Sequence, residues 1–174
     1  MKIGFIGLGN MGAPMAANLA KSHDVVGFDT AAAPEGLTLA DSAAAAAKDA
    51  DVVITMLPNG AILRAVAAEI HPAMKAGAVH LDCSTVDVES ARAVAAQADA
   101  AGLQAVDAPV SGGIGGAMNG TLTFMAGGTP EAFATVQPLF EIMGQKAVHC
   151  GDAGNGQAAK ICNNMILGVT MIAT

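Results

Sequence analysis

Three groups of residues have types and spacings suited to chemistry. The first is the turn Gly7-Leu8-Gly9-Asn10-Met11-Gly12, whose glycines stand in GxGxxG spacing. The second is the run from Asp107 to Gly128, which carries Ser111 and glycines at 112, 113, 115, 116, 120, 127 and 128. The third is the pair Lys160 and Asn164, four residues apart and so on one face of any helix that holds them. In the first group, Gly7 permits a tight turn, Gly9 lets backbone approach a diphosphate, and Gly12 lets helix pack closely on strand. Unpaired N–H groups at the helix start would face the anion. In the second group, N–H groups bared by glycine, with the Ser111 hydroxyl, could hold a carboxylate without any arginine. In the third, a lysine can take a proton from an alcohol if burial lowers its basicity, and Ala158, Ala159, Ile161 and Cys162 surround Lys160 with apolar neighbours.

Glycines also mark ordinary turns, so the first group needs its context. Lys2 to Ile6 is a short apolar run without polar alternation, which reads as a strand buried on both faces. Met11, Met15, Asn18 and Leu19 follow at helical intervals. Asp29 closes a second strand, Asp24 to Asp29, at the distance a ribose-binding carboxylate requires. Such a carboxylate would repel a 2′-phosphate, and Thr30, Ala31 and Ala32 offer no arginine to hold one. NAD is therefore expected in preference to NADP.

The same alternation continues. Helix Asp41 to Lys48 is capped by Asp41 or Ser42, and strand Asp51 to Leu57 ends at Pro58. Helix 61–70, strand Ala78 to Asp82, helix Asp87 to Ala101 and strand Leu103 to Ala108 follow. Helix 130–143 and strand Lys146 to Cys150 come after the glycine-rich loop, which reads otherwise as a tight hairpin into strand Thr121 to Ala126. Strand and helix alternating with short connections call for an α/β fold of Rossmann type: a doubly wound, mostly parallel sheet covered on both faces. Ligands of such sheets bind beyond the carboxyl ends of the strands, where Asp29, Leu57-Pro58 and Ser84-Thr85 fall.

From Gly151 the chain reads as a glycine turn and then a helix of about seventeen residues, roughly 25 Å long. Beyond Asn164 its polar face disappears, and Met165, Ile166, Leu167, Val169, Met171 and Ile172 occupy every side. A helix apolar all round needs cover on all sides. The expectation is a Rossmann-type domain over 1–152, and in 153–174 the start of a helix leading into a second domain.

Composition narrows the remaining classes. Of the 174 residues 53% are hydrophobic and 13% charged, which argues against disorder. Fifteen acidic against eight basic residues give a net charge of −7, with no basic cluster, so neither nucleic acid nor an anionic membrane surface is an expected partner. Cys83, Cys150 and Cys162 lack metal-ligand spacing and read as buried thiols, while the four histidines are scattered, so no metal site is expected. The first strand begins at Lys2, so no leader peptide is expected, and the location expected is cytoplasmic.

Taken together, the segments GLGNMGAPMAANL, TMLPN, DCSTVD, DAPVSGGIGGAMNGTLTFMAGG and GNGQAAKICNNM resemble the β-hydroxyacid dehydrogenases over nearly the whole chain. The resemblance implies a Rossmann-type domain followed by an all-helical one through which the enzyme forms homo-oligomers. It implies that Lys160 is the catalytic lysine, that Ser111, Gly112, Gly113 and Asn164 hold the substrate, and that Leu57-Pro58 and Thr85 contact the cofactor. The activity implied is NAD-dependent oxidation of a short β-hydroxy acid such as 3-hydroxyisobutyrate to methylmalonate semialdehyde. Tartronate semialdehyde reduction is the nearest alternative, and a nucleotide-binding module without turnover is the alternative of another class. Imine reduction on the same architecture fits less well, because Lys160 is retained and Asp29 disfavours NADPH.

Overall fold

The structure, a computed structural model, describes residues 1–173. The elements run β1 (Lys2–Ile6), α1 (Gly12–Ala20), β2 (Asp24–Phe28), β3 (Thr38–Leu39), α2 (Ala43–Ala47), β4 (Val52–Thr55), α3 (Gly60–Ile70), β5 (Val79–Asp82) and α4 (Val88–Ala100). They continue with β6 (Gln104–Asp107), β7 (Val110–Ser111), α5 (Gly113–Asn119), β8 (Leu122–Gly128), α6 (Pro130–Met143), β9 (Gly144–His149) and α7 (Asn155–Ala173). The strands form one sheet in the order β3-β2-β1-β4-β5-β6-β8-β7, with β9 joined to β8. Pairings from β3 to β6 are parallel, and β8 runs antiparallel to both β6 and β7. The expected doubly wound sheet is therefore present, and the strand order reverses between β1 and β4.

Alternation along the strands explains the two layers. Ile3, Phe5, Val52, Ile54 and Leu81 point to one face, where they meet Met15 and Leu19 of α1 and Val136 and Phe140 of α6. Ile6 and Val53 point to the other, against Ala43, Ala46 and Ala47 of α2, Ile70 of α3 and Ala98 of α4. Successive side chains of a strand face opposite ways, so a run apolar at every position must be covered twice. Gly4 lets α2 lie flat on the sheet, since a Cβ there would stand 2.6 Å from the Ala46 carbonyl oxygen. Ser42 caps α2, Asn59 α3, Asp87 α4 and Thr129 α6, each accepting from an N–H three residues on.

Three expectations need correction. The run after Asp107 is not an open loop or tight hairpin: β7 leads into the helix α5 and then β8. Its glycines weigh against a helix by propensity, but packing overrides this. The α5 carbonyls of Ala117 and Met118 accept from Asn18 Nδ2 of α1 at 2.9 and 3.4 Å, and Ala117 is fully buried. The cysteines are not all buried: Cys83 is, Cys150 is half-buried and Cys162 is exposed on α7. Finally, a helix apolar all round is not covered among the described residues. Gly156, Gln157 and Lys160 are the buried residues of α7, whereas Ile166 is 69% and Ile172 88% exposed. A two-residue strand, β3, was also not foreseen.

Candidate active site

At the reversal of strand order a cleft of about 490 Å³ opens beyond the carboxyl ends of β1, β2 and β4. Gly7, Gly9, Asn10, Met11 and Gly12 line it from the first turn, Asp29 from the end of β2, and Leu57 and Pro58 from the end of β4. Phe28, Met56, Ile62 and Val66 add an apolar wall. Ile62 and Val66 escaped the sequence reading because they sit within α3, and periodicity assigns such residues to a core.

Each glycine has a distinct reason. Gly7 has φ +94°, and a Cβ there would stand 2.2 Å from the Met56 carbonyl oxygen. At Gly12 a Cβ would stand 1.8 Å from the Gly7 carbonyl oxygen, so helix and strand touch through backbone. Gly9 differs: a Cβ there meets nothing within 4 Å, and the residue faces the cleft. Space left open above bare backbone at the start of a helix is what a diphosphate needs.

Asp29 is already bound. Its Oδ2 accepts from Leu8 N–H at 2.7 Å, and its Oδ1 from Ala31 and Ala32 N–H at 2.8 and 2.9 Å. Burial pushes this carboxyl up, but the three backbone donors outweigh it and hold it below the usual carboxylate range. A carboxylate has about four acceptor sites, so one remains for a hydroxyl from the cleft. The turn and this anion therefore fit a dinucleotide. Leu8 serves through its backbone; its side chain is buried against Gly27 and does not line the cleft.

The other expected residues lie outside this cleft. Thr85 is exposed just past β5, Ser111 ends β7, Gly112 and Gly113 are exposed at the start of α5, and Asn164 is exposed on α7. Lys160, one turn before Asn164, is 9% exposed, and burial lowers its basicity. Among the described residues no carboxylate forms an ion pair with it, and a buried amine without an opposite charge loses its proton more readily.

A buried polar system, most of which the sequence reading missed, joins the cleft to the Lys160 helix. Leu57 N–H donates to Ser84 Oγ at 2.8 Å, and Ser84 Oγ donates to Asp82 Oδ1 at 2.5 Å. The Ser84 carbonyl accepts from Gln157 Nε2 at 2.7 Å, and Gln157 Oε1 accepts from Val86 N–H at 3.1 Å. Gln157 thus grips the backbone on either side of Thr85. Behind it, Thr55 Oγ1 donates to Asp82 Oδ1 at 2.8 Å. Thr55 has one hydroxyl proton, so His80 Nε2 must donate to Thr55 (3.0 Å) and His71 Nε2 to His80 Nδ1 (2.9 Å). Asp82 and Asp107 are register partners on β5 and β6. Burial pushes Asp82 up to about 7, with the Asp107 charge adding to it, and pushes Asp107 up to about 6. Polar residues two apart in a strand buried on both faces, His80 and Asp82, were the available signal.

Comparison with known proteins agrees with this geometry. The family model described as the NAD binding domain of 6-phosphogluconate dehydrogenase matches residues 2–151. A 3-hydroxyisobutyrate dehydrogenase of Pseudomonas aeruginosa is 48% identical, and an NAD-dependent L-serine dehydrogenase of the same organism 46%; each alignment covers 99% of this chain and 61% of the relative. The solved structure of Mycobacterium tuberculosis 3-hydroxyisobutyrate dehydrogenase with L-serine superposes with a TM-score of 0.95 at 48% identity, covering 98% of this chain and 61% of that one. The chain thus spans about three fifths of the length of these relatives. Among the described residues no helix is long and apolar enough to cross a membrane, and no group of three or more His, Cys, Asp or Glu is placed to hold a metal ion. The resemblance to the β-hydroxyacid dehydrogenases read from the motifs is borne out, and the chain belongs to the family of the NAD binding domain of 6-phosphogluconate dehydrogenase.

Proposed function

We propose that this chain is the cofactor-holding part of an NAD-dependent dehydrogenase that oxidises a short β-hydroxy acid such as 3-hydroxyisobutyrate to its semialdehyde. The observation that carries the reading is Lys160, buried and of lowered basicity on a helix hydrogen-bonded to the strand end that carries Thr85. Bound NAD supplies the hydride acceptor. Gly7 to Gly12 seat its diphosphate, Asp29 takes a ribose hydroxyl, and Leu57, Pro58 and Thr85 flank it. Ser111 with the Gly112 and Gly113 amides holds the substrate carboxylate, Asn164 assists, and Lys160 accepts the hydroxyl proton as hydride leaves carbon. NAD is preferred to NADP because Asp29 would face a 2′-phosphate at the end of β2. Residues 1–152 form the nucleotide-binding unit, and 153–174 begin an interdomain helix whose exposed apolar side chains would pack in a helical domain that also forms the homo-oligomer.

A second substrate is favoured by a specific observation. L-Serine appears in the name of one relative and in the solved structure of another. Serine and 3-hydroxyisobutyrate share a hydroxymethyl group beside the carbon bearing a carboxylate, and differ in the third substituent, amino or methyl. Steady-state rates of the full-length protein on 3-hydroxyisobutyrate, L-serine and glycerate separate these readings. The 174-residue chain is expected to bind NAD by calorimetry, and Asp29→Asn to bind it at least about tenfold more weakly while losing little for NADP. Tight NAD binding by the full-length protein without turnover of any hydroxy acid would leave only a nucleotide-binding module.

A further inference from the structure

The start of α7 is held with unusual thoroughness for the end of a domain. Asp107 Oδ1 accepts from Gly154 N–H at 2.7 Å and Asp107 Oδ2 from Gln157 N–H at 3.0 Å, so a carboxylate on β6 caps the helix from outside its own chain segment. The Gln157 side chain is fully buried and spends both polar atoms on β5's continuation, at Ser84 and Val86. Between them the helix lies flush on the sheet: a Cβ on Gly156 would stand 2.4 Å from the carbonyl oxygens of Asp107 and Met125. Asp107 is 6% exposed, and a carboxylate is costly to bury. A helix that needed only docking would be served by apolar packing. Lys160 stands three residues after Gln157, on the same side of α7, and is the last residue of the helix that the domain buries.

We propose that Asp107 and Gln157 are positioning residues for Lys160: they lock the first turn of α7 to the ends of β5 and β6, fixing where the amine stands and how little water reaches it. The same lock connects with the cofactor cleft, since Ser84, whose carbonyl Gln157 holds, accepts from the Leu57 amide. Site geometry held by buried, fully paired groups is what a reacting amine requires, because a displacement of 1 Å at a reacting atom lowers rate severely. This inference rests on the reading of Lys160 as proton acceptor, so its test is independent of turnover.

The experiment is an NMR titration of the 174-residue chain labelled with 13C at its six lysines, with the Lys160 signal assigned by its loss in Lys160→Arg. Gln157→Met keeps the side chain's length and adds no charge, so any change in the Lys160 titration reports geometry and hydration. The expected result is a titration raised by about one pH unit, a tenfold gain in proton affinity, as water enters. Gln157→Asn, which keeps the amide but is one methylene short, is the gentler variant and is expected to move Lys160 the same way by less; it decides the matter if the methionine variant does not fold. A Lys160 titration unchanged in the folded variants overturns the proposal. Failure of the dehydrogenase reading shows instead as absence of hydroxy-acid oxidation in the full-length protein, with the titration still responding to residue 157.

Discussion

At the scale of single residues, the two clearest cases are Gly9 and Lys160. Gly7 and Gly12 are glycines because backbone atoms leave no room for a Cβ, but Gly9 faces open space. Gly9→Ala is therefore expected to fold with a melting temperature close to the parent's while NAD binding by calorimetry weakens at least about tenfold, the added methyl standing where the diphosphate must approach. Lys160 is the reverse case, a residue whose type opposes stability. Its basicity is lowered in the folded chain, so folded protein binds this proton less tightly than unfolded protein does. Stability from this group is complete only above the unfolded value near 10.4 and is lost as pH falls towards the folded value, which makes the lysine a net cost at neutrality. Lys160→Met is expected to raise the melting temperature at pH 7 by about 2–4 °C, with the gain shrinking towards pH 10.5, while abolishing oxidation in the full-length protein. Equal melting temperatures at pH 7 would show that the amine is not desolvated.

At the scale of elements, α5 and the start of α7 show opposite uses of glycine. Gly115 lies inside α5, and a Cβ there meets nothing within 4 Å. Gly115→Ala is expected to stabilise the chain by about 0.5–1 kcal/mol in urea unfolding, since alanine favours helix and restricts the unfolded chain. Gly156→Ala has no such outlet, because the added carbon would overlap carbonyl oxygens of β6 and β8. It is expected to cost more than about 3 kcal/mol by the same measurement, or to leave the chain unfolded. A mild effect at Gly156 would mean that α7 can stand off the sheet, which would also weaken the seat assigned to Lys160.

At the scale of the whole molecule, the buried group around Asp82 contributes to how stability varies with pH. His80, Asp107, Thr55 and Ser84 face Asp82, and burial raises both carboxyls while holding His80 down to about 3. A raised carboxyl contributes stability fully below its unfolded value near 3.9 and loses it as pH climbs through the folded value. The lowered histidine acts oppositely, losing its contribution as pH falls from about 6.5 towards 3. The two trends compensate between about pH 4 and 6.5, and the carboxyl trend alone continues to pH 7 and above. Asp82→Asn keeps an acceptor for Thr55 and Ser84 and removes the titration. Relative to the parent it is expected to gain about 1–3 kcal/mol between pH 4 and pH 8 in denaturant unfolding, and a difference independent of pH would refute the buried ionisation.

Much of this was legible in residue order. Local pattern determined the first strand, the glycine turn and helix α1, because an apolar run, a GxGxxG turn and helical spacing are all signals of short range. It also determined the doubly wound class, since alternating strands and helices with short links permit few other arrangements. Asp29 and Lys160 stood out in residue order as types suited to a ribose contact and to proton transfer. Tertiary structure alone decided the rest. It made a helix of the glycine-rich run, because contact with Asn18, 99 residues away from Ala117, outweighs local preference. It bound Asp29 to Leu8, paired Asp82 with Asp107 across two strands, and brought Gln157 to both neighbours of Thr85. It also decided which half of α7 is covered. Burial and hydrogen-bond partners depend on atoms distant in sequence, and a buried charge changes its basicity according to those atoms; neither is present in any window of residues.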